Sequence, residues 1–313
     1  MTAAPAVPTA DRPARRTRPR LRAVLLEQVR ATGLALRWPA LAGAALLAVA
    51  TLAIVSWMVN RAGVVNLHAQ PTVLAGLAGA LLPMAVWARD DPFGAGFLWT
   101  LPVDRRRHAL AKALAGWMWL MGGVALFALW LLALTLASGG RVLPVETLHV
   151  LTTQAPTSGP LDAAALRTVR WAPGPLIWAV PFTAATACYL LASALAVGSR
   201  HPRRWVIGTV LAYPLLSLAG TVASGLPRTG WLDDAPERAL RLLIEGRYGL
   251  DALLTARTAS LESTATLATG ELIVIWSAVP DLAHWRIAAL LWTGAGLLAL
   301  WAAASRHREQ RRA

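Results

Sequence analysis

Apolar runs and short arginine-bearing breaks alternate along the chain. Long runs cover about 39–59, 72–88, 109–137, 175–198, 205–225 and 286–304. Most are close to the roughly 20 residues that a helix needs to cross a bilayer's hydrocarbon. The pattern predicts an all-α, polytopic membrane protein with six transmembrane helices. Residues 20–38 are different: at about 100° per residue, Arg22, Glu27, Arg30 and Arg37 share one arc, while Leu21, Val24, Leu25, Val29 and Leu36 share the other. This predicts an amphipathic helix lying at the membrane interface before the first span. Ahead of it, residues 1–19 carry Pro5, Pro8, Pro13 and Pro19 among alanines and arginines, with no apolar periodicity to bury, and read as a disordered basic tail. The first apolar run follows far from the start and exceeds a signal-peptide core in length, so it reads as an anchor.

Two long segments, 138–174 and 226–285, contain no spanning run. The first, rich in Gly, Pro and Thr, predicts little beyond a short helix near Asp162 to Val169. In the second, Ala239, Leu240, Leu242, Leu243 and Ile244 predict a helix that Gly246 ends, and a short helix follows over 250–256. Residues 272–276 are too short to span, and their β-branched content leaves strand and re-entrant helix both open.

Charge then orients the chain. The protein has 313 residues, 56% of them hydrophobic and 15% charged, with a net charge of +14. Its mean hydropathy is +0.51. With both termini cytoplasmic, about twenty of the 30 basic residues and about six of the 16 acidic ones fall on the inner side. This is the positive-inside bias of a membrane protein, and it accounts for the basicity without nucleic acid. Trp38, Trp87, Trp205 and Trp301 then mark the inner interface and Trp57, Trp178 and Trp285 the outer one. Residues 305–313 form a basic cytoplasmic tail. A single cysteine, Cys188, inside an apolar run, excludes an intramolecular disulfide.

One polar interruption has more structure than the charge rule requires. After Ala88 come Asp90 and Asp91, then Phe93-Gly94-Ala95-Gly96, then Leu101-Pro102-Val103-Asp104, and then Arg105, Arg106 and Arg107. Lys112, the only lysine, opens the next apolar run. Pro102 suits the first turn of a helix because its missing N–H needs no partner there, and Asp104 favours the same N-terminus electrostatically. This order of elements, over about a tenth of the chain, resembles the first cytosolic loop of ABC type-2 permeases, the membrane subunits of ABC exporters. Pro102, Arg105, Arg106, Arg107 and Lys112 match the family pattern. Asp90 or Asp91 stands where the family more often has glutamate, and Phe93 to Gly96 departs from its commoner glycine-threonine-leucine opening.

The resemblance implies a permease subunit whose loop, with Asp90, Asp91, Pro102, Arg105, Arg106 and Arg107, docks on a separate ATPase subunit carrying ATP and magnesium. It implies a second, smaller docking site at the turn holding Arg200, Arg203 and Arg204, and pairing with a second permease subunit, as a homo- or heterodimer, in the plasma (inner) membrane. The plainer reading of both basic clusters is the charge rule alone.

The chain itself offers no catalytic pattern. It has no G-x-x-x-x-G-K-[ST] phosphate loop, no H-E-x-x-H and no G-x-S-x-G, and its histidines (His68, His108, His149, His201, His284 and His307) are scattered. No catalytic, cofactor-binding or metal-ligating residue is expected. The spans do carry hydroxyls: Thr183, Thr186, Tyr189 and Ser193 on the fourth, and Thr209, Tyr213, Ser217, Thr221 and Ser224 within about 120° on the fifth. Such stripes commonly serve helix packing. As the wall of a transport path, without fixed charge, they suit a hydrophobic or amphipathic substrate. Two rivals stand beside the permease: a non-transporting membrane scaffold or sensor, and a membrane enzyme acting on lipid through residues such as His149, Asp162, Asp233 or Asp281.

Overall fold

A computed structural model describes residues 21–61, 63–67, 72–88, 105–152, 165–199, 201, 204–205, 207–208, 243, 246–256, 262–266, 272–276, 279 and 282–306. The fold is mostly helical. Its elements are α1 (Leu21–Arg61), α2 (Thr72–Val86), α3 (Arg105–Ala137), β1 (Glu146–Leu151), β2 (Leu166–Trp171), a 3-10 turn (Pro175–Ala179), α4 (Val180–Gly198), α5 (Leu250–Thr255), β3 (Glu262–Thr266), β4 (Leu272–Trp276) and α6 (Leu282–Arg306). Among the described residues four stretches are long and apolar enough to cross a membrane: Arg22–Arg61, Arg106–Ala137, Pro175–Gly198 and Leu282–Ser305. They correspond to the first, third, fourth and sixth apolar runs. The second run forms α2, whose 15 residues are fewer than a span usually uses. The fifth run, apart from Trp205, Ile207 and Gly208, lies outside the described residues, as do both predicted tails except for residues 305 and 306.

Helix α1 differs from the expectation. The amphipathic stretch and the first span form one continuous 41-residue helix with Pro39 inside it. At 1.5 Å per residue it is about 60 Å long, twice the thickness of a bilayer's hydrocarbon, which is more than one crossing uses. Pro39 removes only one N–H donor, and the apolar residues on both sides continue the helix.

Helix α4 is the centre of the bundle. Val180, Ala184, Ala185, Ala187, Tyr189, Ser193, Ala196 and Val197 are buried, and α2 and α6 pack along it. Small residues permit this closeness: a Cβ on Gly79 would strike the backbone of Ala185, and one on Gly296 would meet Leu190. Two apolar clusters define the ends. At one end Leu36, Val86, Trp87, Ala113, Leu190, Ala194, Val197, Leu300 and Ala303 meet. At the other, Ile177, Val180, Ala184, Leu253, Ala256, Trp285 and Ala289 meet. The end of α2 and the start of α3 therefore share the first end with the final turns of α4 and α6.

The fold also contains a four-stranded sheet in the order β2-β1-β4-β3, which corrects the all-α expectation. β1 pairs with β2 in antiparallel register from Glu146↔Trp171 to Leu151↔Leu166. β3 pairs with β4 from Glu262↔Trp276 to Thr266↔Leu272. A parallel contact, His149↔Ile275 and Val150↔Trp276, joins the two hairpins. Leu148, Val150 and Trp276 form a small apolar cluster with Val169 and Trp171. The short helix expected near Asp162 to Val169 is thus replaced, over its described part, by β2. Period-two alternation in L-R-T-V-R-W puts Arg167, Val169 and Trp171 on one face, which suits a strand better than a helix. The choice left open at 272–276 resolves as strand β4.

Candidate docking end and the buried hydroxyl face

Cations gather at the end where α2 gives way to α3. Arg106 sits over the ring of Trp301 at 5.1 Å, Lys112 over Trp87 at 5.1 Å, and Arg37 over its neighbour Trp38 at 5.6 Å. Such contacts are worth about 0.5–1 kcal/mol where exposed, and they hold long side chains near one another. Arg107 is exposed on the same first turn. Arg105 begins α3, but its side chain is outside the described set.

The other basic segment leaves from the same end. Ser199 closes α4 in an extended conformation, its N–H donating to the Leu195 carbonyl at 2.9 Å. The Ser199 hydroxyl then accepts from the His201 N–H at 3.2 Å, and the Arg204 N–H donates to the His201 carbonyl at 3.2 Å. Arg204 is exposed in this turn. Asp90, Asp91, Pro102, Arg200 and Arg203 lie outside the described residues. The structure thus brings together the starting points of both predicted docking segments.

The hydroxyls of α4 face inward, into the bundle. Tyr189 is fully buried and donates to the Ala113 carbonyl of α3 at 2.8 Å. Thr186 donates to the Phe182 carbonyl at 2.7 Å and accepts from the indole of Trp117 at 3.1 Å. Thr183 donates back to Ala179 and Val180. Ser193 is fully buried. Within this chain the stripe joins α4 to α3, which is the packing role that hydroxyls take in membranes. The five hydroxyls predicted on the fifth run are outside the described residues.

Several contributors have only a weak signal in the sequence. Trp117 is not marked by any motif, although an indole one helix away is a natural donor to a stripe of hydroxyls. At the opposite end, the Arg247 Nε–H donates to His284 Nε2, the rings of Tyr248 and His284 lie 5.9 Å apart, and Trp292 donates to the Tyr248 carbonyl at 3.1 Å. These contacts fix the turn before α5 against α6. Trp285 is buried at this end, against Ile177, Val180 and Leu253 among others. Among the described residues no three His, Cys, Asp or Glu side chains converge as a metal site.

The fold and these contacts define a mostly helical protein with several membrane-compatible helices, a cation-rich end and a sheet drawn from two separate segments. Searches against protein-family models, curated proteins and solved structures gave no match.

Proposed function

We propose that this chain is the permease subunit of an ATP-driven ABC type-2 transporter that exports a hydrophobic or amphipathic substrate. The chain is not itself an enzyme: a separate ATPase binds ATP and magnesium and engages the cation-rich end, and a second permease subunit completes the path. The observation that carries the reading is the convergence of the end of α2, the start of α3 and the end of α4 at one end of the bundle. A docking partner could there push on both segments at once.

Backbone contacts between distant segments support six crossings. The Leu67 N–H donates to the Arg141 carbonyl and the Leu143 N–H to the Leu67 carbonyl, both at 3.1 Å. These bonds tie the chain after α1 to the chain after α3. If α3 crosses the membrane, the chain must also cross between Leu67 and α3, and α2 is the segment available. At about 22 Å it requires local thinning or flanking residues at the interfaces. The same reasoning applies to the sheet: β1 and β4 pair, so if α4 crosses, a further crossing must lie between Ser199 and Glu262. The apolar run at 205–225 is long enough for it. With the cation-rich end inside, both termini are cytoplasmic.

The sheet also favours a second reading, a membrane sensor or scaffold, because it knits two segments into one folded surface. Purification of the intact chain from its native membrane separates the two. Co-purification of a Walker-type ATPase whose hydrolysis falls on Arg106→Glu is expected for the permease. Recovery of the chain alone, or with a partner that is not an ATPase, would end that reading.

A further inference from the structure

Helix α5 has only six residues, too few to be stable alone, so contacts with the rest of the chain hold it in place. Those contacts are extensive. Ala252 and Leu253 are fully buried, and Leu253 and Ala256 pack with Ile177, Val180 and Ala184 on one side and with Trp285 and Ala289 of α6 on the other. A Cβ on Gly76 of α2 would meet Leu254. The short helix therefore fills the end of the bundle between α2, α4 and α6, opposite the cation-rich end. Its entry is a tight turn in which the Gly249 N–H donates to the Gly246 carbonyl at 2.7 Å. Its exit is Ala256 at φ +55°, a left-handed conformation that only surrounding contacts impose on alanine.

The entry turn is fastened by a hydrogen bond that depends on protonation state. The Arg247 Nε–H donates to Nε2 of His284 at the start of α6. The Tyr248 ring lies 5.9 Å from the same imidazole, and the Arg247 guanidinium sits 5.8 Å from the centre of the Tyr248 ring. A guanidinium has donors only and keeps its charge, so His284 Nε2 must offer a lone pair and the imidazole in this contact is neutral. A proton on Nε2 would remove the acceptor and set two cations against each other. Histidine is the side chain that ordinarily changes charge between about pH 8 and pH 5. Among the described residues, the other charged groups on the elements that meet here are Asp251, in the first turn of α5, and the exposed Arg286 of α6. Helix α2 and the first two turns of α4 bring no titratable side chain.

We propose that Arg247 and His284 form a pH-sensitive latch: protonation of His284 releases the Gly246–Gly249 turn from α6 and loosens α5 in the end of the bundle. The remaining ties do not titrate. Trp292 still donates to the Tyr248 carbonyl at 3.1 Å and Leu253 keeps its apolar neighbours, so the change is confined to this segment and the bundle persists. The latch needs only these contacts and does not depend on the transporter reading. Under that reading it lies on the outer side and responds to external acidity.

Hydrogen exchange of the full chain in lipid nanodiscs tests this, with the intrinsic pH dependence of amide exchange divided out to leave protection factors. From about pH 7.5 to about pH 5, protection over 246–256 is expected to fall about tenfold or more, the scale of a lost hydrogen bond to a charged group, while Val180–Gly198 stays unchanged. His284→Gln has an amide oxygen that accepts from Arg247 without titrating, so it should keep 246–256 protected at both values. Arg247→Met removes the donor and the second cation together. It should leave 246–256 less protected at the higher pH, with no further loss at the lower one. The comparison across pH uses the unaltered chain and so stands even where a variant fails to fold. Unchanged protection over 246–256 in that chain would overturn the proposal, as would a loss that persists in His284→Gln. So would an equal loss over Val180–Gly198, which would mark a general acid destabilisation in place of a latch.

Discussion

At the residue scale, close approach of backbones decides what can be substituted. Helix α3 ends with Gly139 at φ +71°, and the Gly140 N–H donates to the Thr135 carbonyl at 2.9 Å, which satisfies a carbonyl that the last turn leaves open. A Cβ on Gly140 would run into the Val65 carbonyl, a backbone atom that cannot rotate away. Gly140→Ala should therefore lower the thermal midpoint of the purified protein by more than Gly139→Ala, whose cost is about 1–2 kcal/mol from the left-handed backbone alone. Gly294 has open space around its absent Cβ, so Gly294→Ala should leave the midpoint unchanged or raise it, by up to about 1 kcal/mol of helix propensity. A midpoint that falls equally in all three would show that packing at these glycines is not as described. Tyr189→Phe removes one interhelical bond, to Ala113, and should cost about 0.5–1.5 kcal/mol in the same assay. No loss would mean that the buried hydroxyl does not join α3 to α4.

At the element scale, the sheet links segments far apart in sequence, and the parallel contact between β1 and β4 is its critical joint. With Cys188→Ser as background, His149→Cys with Ile275→Cys should form an oxidant-induced cross-link, while His149→Cys with Thr266→Cys should not. Partial proteolysis between α4 and β3 would then leave the fragments joined until reduction. Absence of the link under oxidant would remove the sheet as a single body. This joint was the least legible part of the chain. Periodicity announces the long helices because a run such as 109–137 is apolar on every face, which only a membrane or a large core satisfies. A five- or six-residue strand such as L-R-T-V-R-W carries only a few alternations, and its partner is set by tertiary geometry. The same holds for the hydroxyls of α4: their common face is visible at helical spacing, but that Trp117 and Ala113 meet them depends on where α3 lies. The starts of the docking segments were legible as charge, whereas the pairing of Arg106 with Trp301 and of Lys112 with Trp87 required the folded bundle.

At the scale of the whole molecule, connectivity, sheet pairing and charge make one joint claim about sidedness. The tie between Leu67 and Val142 and the pairing of β1 with β4 each demand an even number of crossings between the joined points, and the proposed function puts the cation-rich end in the cytoplasm, as the charge rule favours. Single cysteines on the Cys188→Ser background test this in intact cells with a membrane-impermeant maleimide. Thr168→Cys and Val279→Cys, exposed near the sheet, should react from outside, and Arg107→Cys and Arg204→Cys only after permeabilisation. Each pattern of failure has a distinct meaning. Full reversal would keep the number of crossings but place the arginines outside, which removes any contact with a cytosolic ATPase. Reaction of Thr168→Cys without Val279→Cys would deny a crossing between Ser199 and Glu262, and the sheet could not then form in the membrane. Only the expected pattern leaves the α2–α3 junction and the end of α4 together on the side where ATP is available, which the permease mechanism requires.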